Sequence, residues 1–200
     1  MNVKMYGAIV CLAVSTLAAC IPPMAVVQDA SLLDSGESDA TLYASSAIQE
    51  QTDVGLRVGL GVSERADLRM GGGMSLLHSD SGTSVGGWWF EAGPKFSLID
   101  DHIALYAPGG LGSNTDTLFM AVAPTLIGSA DPTPWLTLSL FLKGMLVSTL
   151  RQDTSFGLDG LWSTGINATL KVNENFAIVP ELSIVQLDLV TGSLGIRIGF

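Results

Sequence analysis

A period of two runs through most of this chain and restricts what it can fold into. From Val54 to Val62, Leu56, Val58, Leu60 and Val62 alternate with Gly55, Arg57, Gly59 and Gly61; at the end, Leu194, Ile196, Ile198 and Phe200 alternate with Ser193, Gly195, Arg197 and Gly199. Successive side chains of a strand point to opposite faces, so each stretch has one aliphatic face and one small or charged face. The same parity sets Leu136, Leu138, Leu140 and Leu142 against Thr137, Ser139, Phe141 and Lys143. It also sets Trp88, Phe90, Ala92, Phe96 and Leu98 against Glu91, Lys95 and Ser97. Such segments, separated by turn signals, predict an all-β, antiparallel up-and-down barrel over residues 40–200. Strands are expected at about 41–48, 54–62, 67–78, 86–98, 103–111, 117–128, 135–148, 156–172, 176–188 and 193–200, which makes ten. The count falls to eight if the first segment and one neighbour are not strands.

Composition decides which face points outward. The chain is 48% hydrophobic and only 14% charged, against about a quarter charged in soluble domains. Its longest apolar run, Tyr6 to Ala19, falls short of the roughly 20 residues a spanning helix needs. A membrane protein without such helices must be a closed barrel, because only closure satisfies every backbone group in lipid. A water-facing exterior would carry many Lys and Glu, whereas the polar face here is Gly, Ser and Thr with isolated charges. The aliphatic face is therefore expected to meet lipid and the polar face to line the lumen. Trp88 and Phe156 near the expected outer ends of their strands, with Phe96, Phe176 and Phe200 near the periplasmic ends, resemble two interfacial girdles. The competing fold is a soluble barrel on a lipid anchor, which would hide the aliphatic set inside.

The N-terminal segment reads as an export signal: Lys4 supplies the positive start and Tyr6 to Thr16 an apolar stretch too short to span. Leu17-Ala18-Ala19-Cys20 resembles the lipobox of bacterial lipoproteins. That resemblance implies removal of residues 1–19 and acylation, palmitate included, of Cys20 as the first mature residue. Cys11 would leave with the signal, so Cys20 would be the only mature thiol and no internal disulfide can form. Residue 21 is Ile, not the Asp of inner-membrane retention, so the resemblance implies delivery by lipoprotein-transport machinery to the outer membrane. Residues 20–39, with Pro22-Pro23 and a Ser/Asp/Gly cluster, read as the lipidated Cys and a polar tether leading to the first strand.

The closing Gly195-Ile196-Arg197-Ile198-Gly199-Phe200 resembles the last strand of bacterial outer-membrane β-barrels. The implication is that Phe200 is an assembly signal read by outer-membrane assembly machinery. Tight connections at Ser63-Glu64-Arg65-Ala66, Asp100-Asp101, Asp131 to Pro134 and Asn173-Glu174-Asn175 alternate with mostly longer ones. In that family short turns are periplasmic, so both termini are expected in the periplasm.

The inward parity collects Arg57, Arg69, Lys95, Lys143, Lys171 and Arg197 with Asp67, Glu91, Asp159 and Glu181. Six cations meet four anions. Glu181 and Arg197, on neighbouring strands, are expected to pair within a neutralising network that plugs the lumen, because unpaired buried charges are costly. A conducting pore lined by the same residues is the alternative. His78 beside Ser79, with Asp80 next, is the one constellation resembling lipid-modifying surface enzymes, although adjacent strand residues point apart. With only His78 and His102, no metal site and no cofactor are expected. Gly71-Gly72-Gly73 lacks phosphate-loop spacing and reads as strand glycines that admit bulky neighbours. A net charge of -10 argues against nucleic acid as a partner. The expected function is thus that of a non-enzymatic outer-membrane β-barrel lipoprotein with a structural or interaction role, partnered by outer-membrane lipids and an envelope or surface component. A narrow channel or a lipid-modifying enzyme are the alternatives.

Overall fold

In the computed structural model the described residues are 25–47, 51–79, 82–114, 117–151, 156–187 and 189–200. The signal segment, Cys20 and Asp80 lie outside them.

Twelve strand segments form one antiparallel sheet: β1 (Ser38–Ala47), β2 (Gln51–Ser63), β3 (Ala66–Ser79), β4 (Gly82–Ile99), β5 (Ile103–Tyr106), β6 (Gly109–Asn114), β7 (Thr117–Val122), β8 (Thr125–Thr133), β9 (Leu136–Arg151), β10 (Phe156–Asn173), β11 (Phe176–Val185) and β12 (Leu189–Gly199). β5 and β6 both pair with β4, and β7 and β8 both pair with β9, so each of these couples is one stave of the wall. Ten staves result. The sheet closes where β1 pairs with β12, from Asp39 opposite Gly199 to Ala47 opposite Thr191. Ser38 and Phe200 exchange backbone hydrogen bonds of 3.0 and 2.8 Å at the seam.

Proline divides the split staves. Pro108 and Pro124 cannot donate to the ladder, and the β5/β6 to β7/β8 pairing jumps from Tyr106 opposite Thr125 to Gly109 opposite Val122. The carbonyl of Ala123, which would have faced a donor at 108, accepts the Thr125 hydroxyl at 3.1 Å instead. Pro180 leaves a similar gap between β10 and β11, where pairing passes from Asn167–Glu181 to Leu170–Ile178.

The expected parity holds around the wall. Leu42, Leu56, Phe90, Leu140, Leu142, Ile166, Leu182, Leu194 and Ile196 are exposed on the outside, while Tyr43, Arg57, Trp89, Phe141, Lys143, Asn167, Glu181 and Ser193 are buried inside. A barrel whose whole waist is apolar is stable only against hydrocarbon, which makes this a transmembrane barrel and removes the soluble alternative. Short turns at Glu64–Arg65, Asp100–His102, Pro134–Trp135 and Glu174–Asn175 share the end that carries Ser38 and Phe200. The β11–β12 connection falls earlier than the sequence pattern suggests. Val185 pairs with Leu189, and Gln186 and Leu187 between them hold positive φ values of 49° and 68°. Neither residue type carries the Gly or Asn signal of such a turn.

Leu140 is 61% exposed at mid-wall, and its neighbour Ser139 is buried in the lumen. Leu140→Arg is expected to cost about 2–4 kcal/mol of folding stability in phospholipid vesicles, whereas Leu140→Phe is expected to be nearly neutral. Unfolding titrations of the two variants check this; a neutral Arg at 140 contradicts the lipid-facing assignment.

Candidate functional site in the barrel lumen

An eight-stranded barrel has an interior just wide enough for side chains to fill. Ten staves enclose more, and here the surplus is taken by the chain itself. Part of the stretch read as a polar tether enters the lumen: Ala25, Val26, Val27, Gln28, Asp29 and Ala30 are all 3% exposed or less. The described part of that stretch is therefore an internal segment. A strand-less backbone can lie at membrane depth only where the wall supplies its hydrogen bonds, and the wall does so.

Glu181 accepts from the Val26 amide at 3.0 Å and the Val27 amide at 2.6 Å. Arg57 donates to the carbonyl oxygens of Val26 and, at 3.4 Å, Ala25. The Ala30 amide meets Ser129 Oγ at 2.8 Å, and Ser129 in turn shares a 2.8 Å bond with Ser139. Asn167 donates to the Gln28 carbonyl at 3.0 Å, and Lys95 Nζ to that of Ser31 at 2.6 Å. Asp29 receives Arg197 at 2.9 Å and the Thr169 hydroxyl at 3.1 Å. The wall also leaves room. A Cβ on Gly61 would fall on the Asp34 carbonyl, and one on Gly195 would stand 3.4 Å from Val27 Cβ.

Two further ion pairs each bridge a glycine on the strand between their partners. Arg57 and Glu91 meet at 2.5 Å across Gly71, which lies opposite both. Arg69 reaches Asp39 at 2.7 Å across Gly59, and forks to Asp67 at 2.7 Å. A side chain on Gly59 would collide with Arg69 and Asp39. The sequence reading of Gly71 as a gap for large neighbours holds in this form. Tyr43 and Tyr106 flank Arg57, their rings 5.5 and 5.8 Å from its guanidinium carbon.

The structure thus brings together Arg57, Glu91, Arg69, Lys95, Lys143, Glu181 and Arg197 as buried or half-buried lumen groups. It corrects three expectations. Glu181 and Arg197 are not partners: Glu181 stands opposite Ser193 and Arg197 opposite Ala177, four residues apart along β11. Their partners are the internal segment's amides and Asp29. Lys171 is exposed at the end of β10. Asp159, half-buried opposite Val147, stands near the loop end and outside these pairs. The six-to-four excess of inward cations was the available signal, since Asp29 and Asp39 make up the missing anions.

The His78 ring bonds Thr83 Oγ1 at 3.1 Å and Thr52 Oγ1 at 3.0 Å, and the Ser79 hydroxyl donates to the Gly82 carbonyl at 3.2 Å. Among the described residues no group of three or more His, Cys, Asp or Glu could hold a metal ion.

Fold and lumen together define a closed transmembrane β-barrel with an occupied interior. No family model matches the sequence, and no curated protein matches it. Among solved structures the fold is similar to the KdgM porin, with 11% identity, a TM-score of 0.45, and 81% of this chain and 99% of that one covered. It is also similar to the N-terminal β-barrel domain of Pseudomonas aeruginosa OprF, with 12% identity, a TM-score of 0.39, and 84% and 100% covered. LpxR from Salmonella typhimurium gives 6% identity, a TM-score of 0.41, and 82% and 99% covered.

Breaking a buried pair leaves an uncompensated charge, at about 3–5 kcal/mol. Arg57→Met and Glu91→Gln are each expected to destabilise the barrel by that order and to couple by more than about 1 kcal/mol in a double-mutant cycle. Glu181→Gln and Arg197→Met are expected to add. Stability measured in vesicles distinguishes the cycles, and strong Glu181–Arg197 coupling contradicts the register.

Proposed function

We propose that this chain is a bacterial outer-membrane β-barrel lipoprotein with a structural or interaction role, its lumen closed rather than conducting. The observation that carries the reading is the internal segment: Ala25 to Ala30 is buried inside the wall and tied to Glu181, Arg57, Asn167, Ser129 and Asp29's partners. A barrel whose axis is filled by its own backbone presents an outside and two rims to partners, and no open conduit. The lipobox-like Leu17 to Cys20 supports lipidation. The alternation of tight turns with other connections, together with the closing Phe200, supports the outer membrane and recognition by its assembly machinery.

A narrow channel is the second reading, favoured by one feature. The segment is held by hydrogen bonds and ion pairs to wall groups, and the lower wall behind it is polar, with Lys95, Arg197, Asn167, Thr169 and Asp67. Conductance in planar bilayers separates the two. Wild type is expected to give no stable open level, while deletion of residues 25–33 gives steps of current. A large steady conductance in wild type contradicts the closed reading.

A further inference from the structure

The outer wall is not level. Across β8 to β11 its lipid-facing positions form two neighbouring rows in register. One runs from Gly128 through Leu140 and Ile166 to Leu182, the other from Ala130 through Leu138 to Ala168. The second row continues at Pro180, in the gap where β10 and β11 leave the ladder unpaired. Leu138, Leu140, Ile166 and Leu182 stand out from the wall as exposed side chains. Gly128, Ala130, Ala168 and Pro180 have short side chains or none, so the wall sinks between the long ones. The result is a groove of about 830 Å³, within the roughly 300–1,000 Å³ of ligand sites.

The groove opens outward. Among the described residues none of the internal segment lines it, although that segment fills the lumen at the same level, where Ser129 bonds the Ala30 amide and Asn167 the Gln28 carbonyl. Ser129, Ser139, Asn167 and Glu181 border the groove but turn their side chains inward, so they offer the outer face backbone. The first row begins at Ile103, which stands opposite Gly128 and is the first residue of β5 at the short-turn end. It finishes at Leu182, three residues from the loop end of β11. The groove therefore climbs the wall from the short-turn end toward the middle of the membrane. At its foot lies His102, exposed in the turn before β5. The His102 carbonyl accepts the Ser129 amide at 2.7 Å, which holds that turn against β8.

What fits such a groove follows from where it lies. Inside hydrocarbon the hydrophobic effect drives nothing onto the wall, because lipid tails are as apolar as leucine. Dispersion contact remains: an acyl chain on a level wall touches protein on one side, and a chain in the groove on three. A polar anchor at the foot adds to this, since the His102 imidazole offers a donor at head-group level and a phosphate accepts one. We propose that the groove binds a glycerophospholipid of the leaflet at the short-turn end, one acyl chain lying along it and the phosphate accepting a hydrogen bond from His102.

The test folds the full-length chain into phosphatidylcholine vesicles that contain a phosphatidylglycerol with a diazirine in mid-acyl chain. After irradiation, adducts are mapped by peptide mass spectrometry. Adducts are expected to concentrate on β8 to β11 relative to β1 to β3. That excess should be lost in Ala168→Phe, whose ring fills the floor, and fall in His102→Ala. It should persist in Ala44→Phe, an exposed position on β1 outside the groove. Labelling spread evenly around the wild-type wall makes the lipid mere solvent there and overturns the proposal. An excess that survives Ala168→Phe or His102→Ala overturns it as well. So does cross-linking of two chains through β8 to β11, which would make the groove a contact between copies. If Ala168→Phe does not reach the heat-modifiable folded form, Ala130→Phe fills the same row and is read by the same outcomes.

Discussion

The structure depends on one constraint: a barrel of ten staves has more interior than its inward side chains can fill, and water is excluded from most of it. Charged groups placed there must find partners or the fold fails. The N-terminal segment meets both needs. It supplies volume through Val26, Val27 and Ala30, and it supplies Asp29 together with backbone amides and carbonyls to Glu181, Arg197, Lys95 and Arg57. Removing it leaves a void and at least three stranded ionic groups at once.

The wall is shaped for this content. Glycines stand where a neighbour must cross, at Gly59 and Gly71 beneath ion pairs and at Gly61 and Gly195 beside the segment. Prolines interrupt single ladder bonds at Pro108, Pro124 and Pro180 without opening the sheet, because the flanking register resumes on both sides. Toward the loop end an apolar cluster around Trp89, Phe119 and Met145 lies beside hydrogen-bonded polar groups of Ser45, Asp53, Ser183, Thr191 and Ser193, while the ion pairs of Asp39 and Asp29 lie toward the short-turn end.

Much of the wall was legible in the sequence because period-two alternation is a local property. Leu140 and Ser139 fall on opposite faces whatever the rest of the chain does, and ten staves follow from counting such stretches. The lumen partners were less legible. Arg57, Glu91 and Arg69 announce themselves as inward charges, but pairing Glu181 with Arg197 required a register that the β11–β12 turn sets, and that turn lacks a Gly or Asn. The segment from Ala25 to Leu33 was unreadable as an interior element. It has no periodicity, its backbone bonds go to side chains on distant strands, and its Pro/Ser/Asp surroundings look like a linker. Only the excess of inward cations pointed to acids arriving from elsewhere.

The claim that the N-terminal segment occupies the lumen is tested most directly by a covalent link between it and the wall. Val27 Cβ lies 3.4 Å from the position of a Cβ at residue 195, close to the separation spanned by a disulfide. In a Cys20→Ser background, Val27→Cys combined with Gly195→Cys should form an intramolecular disulfide on mild oxidation of the membrane-folded protein, seen as a reducible shift in gel migration. If instead both thiols remain free and react fully with maleimide in the folded barrel, the segment does not lie in the lumen.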